Sequence, residues 1–133
     1  MNSKQLGDIT EAACLSELLK RGYSVSVPFG DRCPYDLIVD DKGVLKKVQC
    51  KTGWLEEDCI RFAICSITTL NGKTVRKTYS SKDVDEFMIY CKETNKIYRV
   101  PNKDLPQTDV FLRLVPPKNN QLSKVRMAED YEI

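Results

Sequence analysis

Apolar and polar residues recur along this chain with two different periods. From Ser3 to Arg21 the spacing is helical: Ala12, Leu15 and Leu19 form an apolar stripe with Leu18 on one flank. Gly22 supplies the residue suited to the left-handed position after a helix end. A period of two then takes over. YSVSVP from Tyr23 reads as a strand, FGDRCP as a loop, and YDLIVD, Tyr35 to Asp40, as a second strand. DDKG reads as a hairpin turn into a third strand, VLKKVQCK, with a turn expected at Gly53. IRFAICSI from Ile60 reads as a fourth strand, and TTLNGKTVRKTYSSK as a long polar, basic segment. EFMIYC and KIYRVP form a hairpin around KETN, DVFLRLVPP is a last strand, and the tail from Leu122 has room for a short helix. One helix, several antiparallel strands and then mixed elements predict an α+β fold with a central mixed sheet. No linker separates two core-sized halves, so residues 1–133 read as a single domain.

The third strand carries an anomaly. Leu45, Lys47, Gln49 and Lys51 share one face, so an amide and an amine stand two residues apart at its far end. Asp36 shares a face with Ile38 on the preceding strand, and the DDKG turn folds it back beside Gln49 and Lys51. Glu11 lies one turn before Leu15, at the edge of the buried helix face. Singly, each has an ordinary explanation: a helix carboxylate near the positive N-terminus, an aspartate bonded to a loop amide, a solvated strand face. Together, two carboxylates, an amide oxygen and a lysine converge. Such oxygens suit a hard cation such as Mg²⁺, which leaves positions for water and phosphate. A lysine beside it stabilises negative charge on phosphorus or orients an attacking water.

Composition narrows the alternatives. The sequence contains no histidine, which excludes histidine acid–base catalysis and histidine-dependent triads. Its six cysteines form no C-x-x-C pair, so zinc and dithiol redox sites have little support, and reduced, mostly buried thiols are expected. A net charge of +2 means that any nucleic-acid surface must be a local patch. Lys73, Arg76 and Lys77 in the basic segment are candidates for phosphate contact. No stretch approaches transmembrane length and no apolar leader opens the chain, so a cytoplasmic protein without membrane contact is expected.

The run from GDITEAACLSELLKRGYSVSVPFGDRCPYDLIVD to KKVQCKTG resembles the core of the PD-(D/E)XK nucleases. Within them it is most similar to the small endonucleases that include cyanobacterial group I intron homing enzymes, and more distantly to archaeal Holliday junction resolvases. VDEFMIYCKETNKIYRVP also resembles a hairpin that follows the core in that subgroup. The family's helix glutamate matches Glu11, its motif aspartate matches Asp36, and its (D/E)-x-K half matches Gln49-Cys50-Lys51. Gln49 stands where the family usually has an acid, so one negative charge is missing. The resemblance implies a restriction-endonuclease-like α+β core, with a central mixed sheet flanked by helices. It implies a Mg²⁺-dependent DNA endonuclease, with Mn²⁺ able to substitute. Glu11, Asp36, the main-chain carbonyl of Cys50 and the Gln49 oxygen would hold metal, and Lys51 would act on the nucleophile or the developing charge. The partners implied are double-stranded DNA and further copies of the chain, as a homodimer or homotetramer. A junction resolvase and a catalytically inactive DNA-binding module of the same fold are the alternatives.

Overall fold

The computed structural model describes residues 1–119 and 124–133. Helix α1 runs from Ser3 to Lys20. Asn2 caps it reciprocally: its side chain accepts the Gln5 amide at 2.9 Å, while the Gln5 side chain accepts the Asn2 amide at 3.0 Å. At the other end Gly22 adopts φ +86° and ends the helix as its position predicts. The buried face differs from the expected stripe. Thr10, Cys14 and Leu18 are buried, whereas Ala12 and Leu19 are exposed. Small or weakly polar side chains win because the helix lies close on the sheet. Thr10 Oγ1 hydrogen-bonds Thr52 Oγ1 at 2.7 Å, and Cys14 Sγ points at the Met88 carbonyl.

Among the described residues nine strands follow: β1 (Ser24–Ser26), β2 (Leu37–Asp41), β3 (Val44–Glu56), β4 (Cys59–Ala63), β5 (Cys65–Leu70), β6 (Lys73–Thr78), β7 (Glu86–Cys91), β8 (Lys96–Pro101) and β9 (Asp109–Arg113). Seven form one mixed sheet, with β3 at its centre. β3 pairs antiparallel with β2, parallel with β7 over Val48–Gly53, and antiparallel with β4 from Trp54 onward. The β2–β3 turn is the expected hairpin, with Lys42 and Gly43 at φ +54° and +90° and Asp40 Oδ1 accepting the Gly43 amide. Among the described residues α1 is the one α-helix, and it covers one face of the sheet. The other face is covered by the β4–β9 arm, which folds back over β7 and β8 to bury Ile60, Phe62, Ile89, Tyr98, Val110 and Leu112.

Three local expectations change. Gly53 is no turn; it lies within the 13-residue β3, where the two arms of the sheet diverge. IRFAICSI is not one strand, because it breaks at Ile64 between β4 and β5, where the Ile64 amide donates to Thr108 O at 2.8 Å. TTLNGKTVRKTYSSK, to which the sequence reading assigns no strand, holds regular structure. Thr68 to Thr78 belong to the projecting β5–β6 hairpin, turned by Asn71 and Gly72 at φ +51° and +74°. Asn-Gly between extended runs was the available signal for that hairpin. The Leu122 position lies outside the described residues; the tail beyond it holds a 3₁₀ turn, Ala128–Asp130.

Candidate active site

β2 starts at Leu37, opposite Val48, so Asp36 sits just before the strand and not within it. Its amide still donates to Val48 O at 2.8 Å. Its carboxylate turns across the open edge and accepts the Cys50 amide at 2.8 Å. Cys50 has therefore run past the end of β2. A residue's N–H and C=O leave an extended strand on the same edge, so the Cys50 carbonyl opens toward the region that Asp36 occupies.

Glu11 lines the same cleft as Asp36, with Val27, Gly30 and Tyr35 forming other walls. Burial, then the Asp36 charge, then that of Asp8 push the Glu11 carboxyl above its ordinary pKa. Asp36 is also raised, chiefly by burial; the Cys50 amide and the Lys51 ammonium pull it partly back. Two mutually repelling carboxylates, each partly withdrawn from water, form a place that a cation would stabilise. The Cys50 thiol is driven well up by its hydrogen bond with Cys14, by burial and by both carboxylates. It stays protonated, so a cation would find this residue's main-chain carbonyl and not a thiolate.

Gln49 is only 8% exposed, so it is not part of a solvated strand face. Its Nε2 donates to Pro34 O at 2.7 Å, and its Oε1 is buried with no partner. An orphaned buried acceptor costs stability, and a cation or its coordinated water would satisfy it. This donor set fits Mg²⁺: two carboxylates, a neutral amide oxygen and a main-chain carbonyl. Among the described residues no group of three or more His, Cys, Asp or Glu side chains could hold a metal, so neutral oxygens matter here.

Lys51 lies on the opposite face of β3 from Thr52. Its Nζ is 5.9 Å from the centroid of the Tyr79 ring, and Lys77 Nζ is 5.8 Å from the same centroid. Lys47, in the same row, is occupied elsewhere: its Nζ donates to Lys82 O and its amide to Asp85. The three basic candidates are all exposed on β6. Lys77 and Lys73 pair with Ser66 and Leu70 and share one hairpin face, while Arg76, paired with Ile67, faces the other way. Glu11, Asp36, Gln49, Cys50 and Lys51 thus gather midway along β3, where β2 ends beside it. Lys77 approaches from the hairpin, and Arg76 does not join it. Tyr79 carried no sequence signal, because its place depends on how the hairpin folds back.

The described residues contain no helix long and apolar enough to cross a membrane. All six cysteines are unbonded: Cys14, Cys65 and Cys91 are buried, Cys50 and Cys59 half-buried, and Cys33 exposed.

A comparison with curated proteins finds no match. Among solved structures the fold is similar to "a bacterial homing endonuclease: I-Ssp6803I" at 29% sequence identity and a TM-score of 0.81. The likeness covers 99% of this chain and 89% of that one. The family model for PD-(D/E)XK endonucleases matches residues 1–133. Since that match leaves no part of the sequence outside it, and the motif residues meet midway along the central strand, the chain belongs to the PD-(D/E)XK endonuclease family.

Proposed function

We propose that this protein is a Mg²⁺-dependent endodeoxyribonuclease, Mn²⁺ substituting, that makes site-specific double-strand breaks of the homing type. The observation that carries the reading is the meeting of Glu11, Asp36 and Lys51 beside the orphaned oxygen of Gln49. The 29% identical homing endonuclease supports the substrate class. Residues 1–133 act as one nuclease domain, in the cytoplasm.

Glu11, Asp36, the Cys50 carbonyl and Gln49 Oε1 would hold the cation. When bound, it supplies Lewis acidity toward the phosphate and a more acidic water. Asp36 is oriented by the hydrogen bond that it accepts from the Cys50 amide. Lys51 brings its ammonium to the developing negative charge. Burial of Gln49 and half-burial of Asp36 exclude competing water, which strengthens each electrostatic contact.

The decisive assay incubates a random duplex, a cognate-like duplex and a four-way junction with and without Mg²⁺. Metal-dependent cutting of duplex is expected. Cutting of the junction alone would identify a resolvase, and binding without cutting an inactive module.

Gln49→Glu tests the neutral ligand. Its added charge should tighten Mn²⁺ binding to the DNA-free protein, measured by calorimetry. The same change removes the donor to Pro34 O and should cost ~1–3 kcal/mol of stability. Gln49→Leu should fold and bind metal weakly. If both variants bind Mn²⁺ like the wild type, Gln49 is not a ligand.

The hairpin faces make a second test. Replacing Lys73 and Lys77 together by alanine should flatten the slope of log K against log salt by ~1.8, at about 0.9 per phosphate contact. Arg76→Ala, on the other face, should leave the slope unchanged. An unchanged slope in the double variant would make β6 a solvated ribbon.

A double-strand break needs two hydrolyses, and each chain offers one site. We therefore place two copies on the duplex as a homodimer, or four as a homotetramer with further copies extending the DNA contact. Light scattering that gives a monomer with and without DNA would contradict this.

A further inference from the structure

We propose that Tyr79 is a positioning residue that holds the Lys51 and Lys77 ammonium groups at one aromatic ring, making a phosphate clamp between the cleavage centre and the projecting hairpin. The proposal rests on the nuclease reading of Lys51 and names how that lysine is kept in place.

The ring is held at three points. Its body packs, partly buried, against the core between the two sheet arms. Its main-chain carbonyl accepts Asn102 Nδ2 at 3.2 Å, and the same amide nitrogen donates to Val84 O at 2.9 Å. Its hydroxyl hydrogen-bonds Ser66 Oγ on β5. The last contact closes the base of the hairpin, since Ser66 stands directly opposite Lys77, two residues before Tyr79.

Both ammonium groups come within the range at which an aromatic face attracts a cation, about 6 Å from the centroid. A lysine side chain loses rotamer freedom when it is fixed. The ring offsets part of that loss before substrate arrives. Two like charges at one ring also repel each other. Among the described residues neither ammonium forms a salt bridge with a carboxylate. A phosphodiester is the anion that relieves this arrangement: Lys51 meets the phosphate being cut and Lys77 meets the backbone beside it.

A purely structural anchor would need only the hydroxyl, the packing and the carbonyl. The clamp needs the electron-rich ring. Replacing Tyr79 by phenylalanine, then by mono-, di- and trifluorinated phenylalanines, keeps shape while draining the ring face of negative charge. Tyr79→Phe keeps the ring but loses the Ser66 contact, so its single-turnover rate is the reference for the fluorinated series. Across the fluorinated series the rate should fall stepwise, reaching about tenfold. Duplex affinity in Ca²⁺ should change less than the rate.

A second readout needs no cleavage. The CεH₂ signals of Lys51 and Lys77 should be displaced by the ring in wild type and Tyr79→Phe, and should return to ordinary positions in Tyr79→Leu. A flat rate across the fluorinated series, or lysine signals that never sense the ring, would overturn the clamp. Should the wild-type protein cut no DNA with Mg²⁺ or Mn²⁺, the nuclease reading fails by itself. The lysine signals, and their response to added inorganic phosphate, then decide whether the clamp exists.

Discussion

Asp36→Asn should lower single-turnover cleavage by about 10³-fold or more and at the same time make the metal-free protein more stable at neutral pH. Both effects have one cause. Asp36 is half-buried, and burial raises its carboxyl pKa despite the Cys50 amide and Lys51. It also raises its neighbour Glu11. A carboxyl with a raised folded-state pKa contributes stability below its unfolded value, and that contribution is lost as pH rises through the folded value. At neutral pH the wild type is therefore carrying two disfavoured charges. Asparagine keeps an oxygen for the Cys50 amide and removes one of them. The denaturation curves of variant and wild type should differ at neutral pH and converge as pH falls below the ordinary carboxylate range. Lys51→Met should lose cleavage comparably while retaining duplex binding. Cleavage by Asp36→Asn within tenfold of wild type would place the site elsewhere, and identical stability at neutral pH would mean that Asp36 is not strained.

Gly53→Val should leave little folded protein at 37 °C, and Gly53→Ala should cost ~1–3 kcal/mol. A Cβ on Gly53 would stand 2.6 Å from Ile89 Cγ2 and 2.9 Å from Ile60 Cγ2. Both methyls belong to β-branched side chains fully buried on β7 and β4, so neither can rotate aside cheaply. The glycine marks where β3 passes from its partnership with β7 to that with β4, and its bare backbone lets the two arms close. Gly7 is the control. It lies in α1 with nothing within 4 Å of a new Cβ, so Gly7→Ala should stabilise by ~0.5–1 kcal/mol. Urea midpoints measure both. A wild-type midpoint for Gly53→Ala would mean that the arms have room to spare.

Several features were legible because their causes are local. The end of α1 follows from Gly22, the β2–β3 hairpin from the Lys42-Gly43 turn, and the β7–β8 hairpin from alternation around KETN. The hairpin also brought Asp36 beside Gln49 and Lys51, because antiparallel pairing around a two-residue turn leaves one register. The NG signal at Asn71-Gly72 was equally local and would have revealed β5–β6.

Other features depended on what packs against what. The buried helix face is Thr10, Cys14 and Leu18 and not the more apolar stripe, because close approach to β3 and β7 rewards small side chains and a threonine pair over greater hydrophobicity. Gly53 reads as a turn until Ile60 and Ile89 are known to converge on it from distant strands. Gln49 gives no sign of burial until β7 and the Pro34 loop close around it and leave its oxygen without a partner. By itself the sequence determined the α+β class, the strand pairing near the site and the identity of the residues that meet there, since periodicity and turn chemistry act over a few residues. Only the tertiary structure decided which of those residues are buried, which charges strain one another and which ring lies beside Lys51, because these depend on distances between segments far apart in the chain.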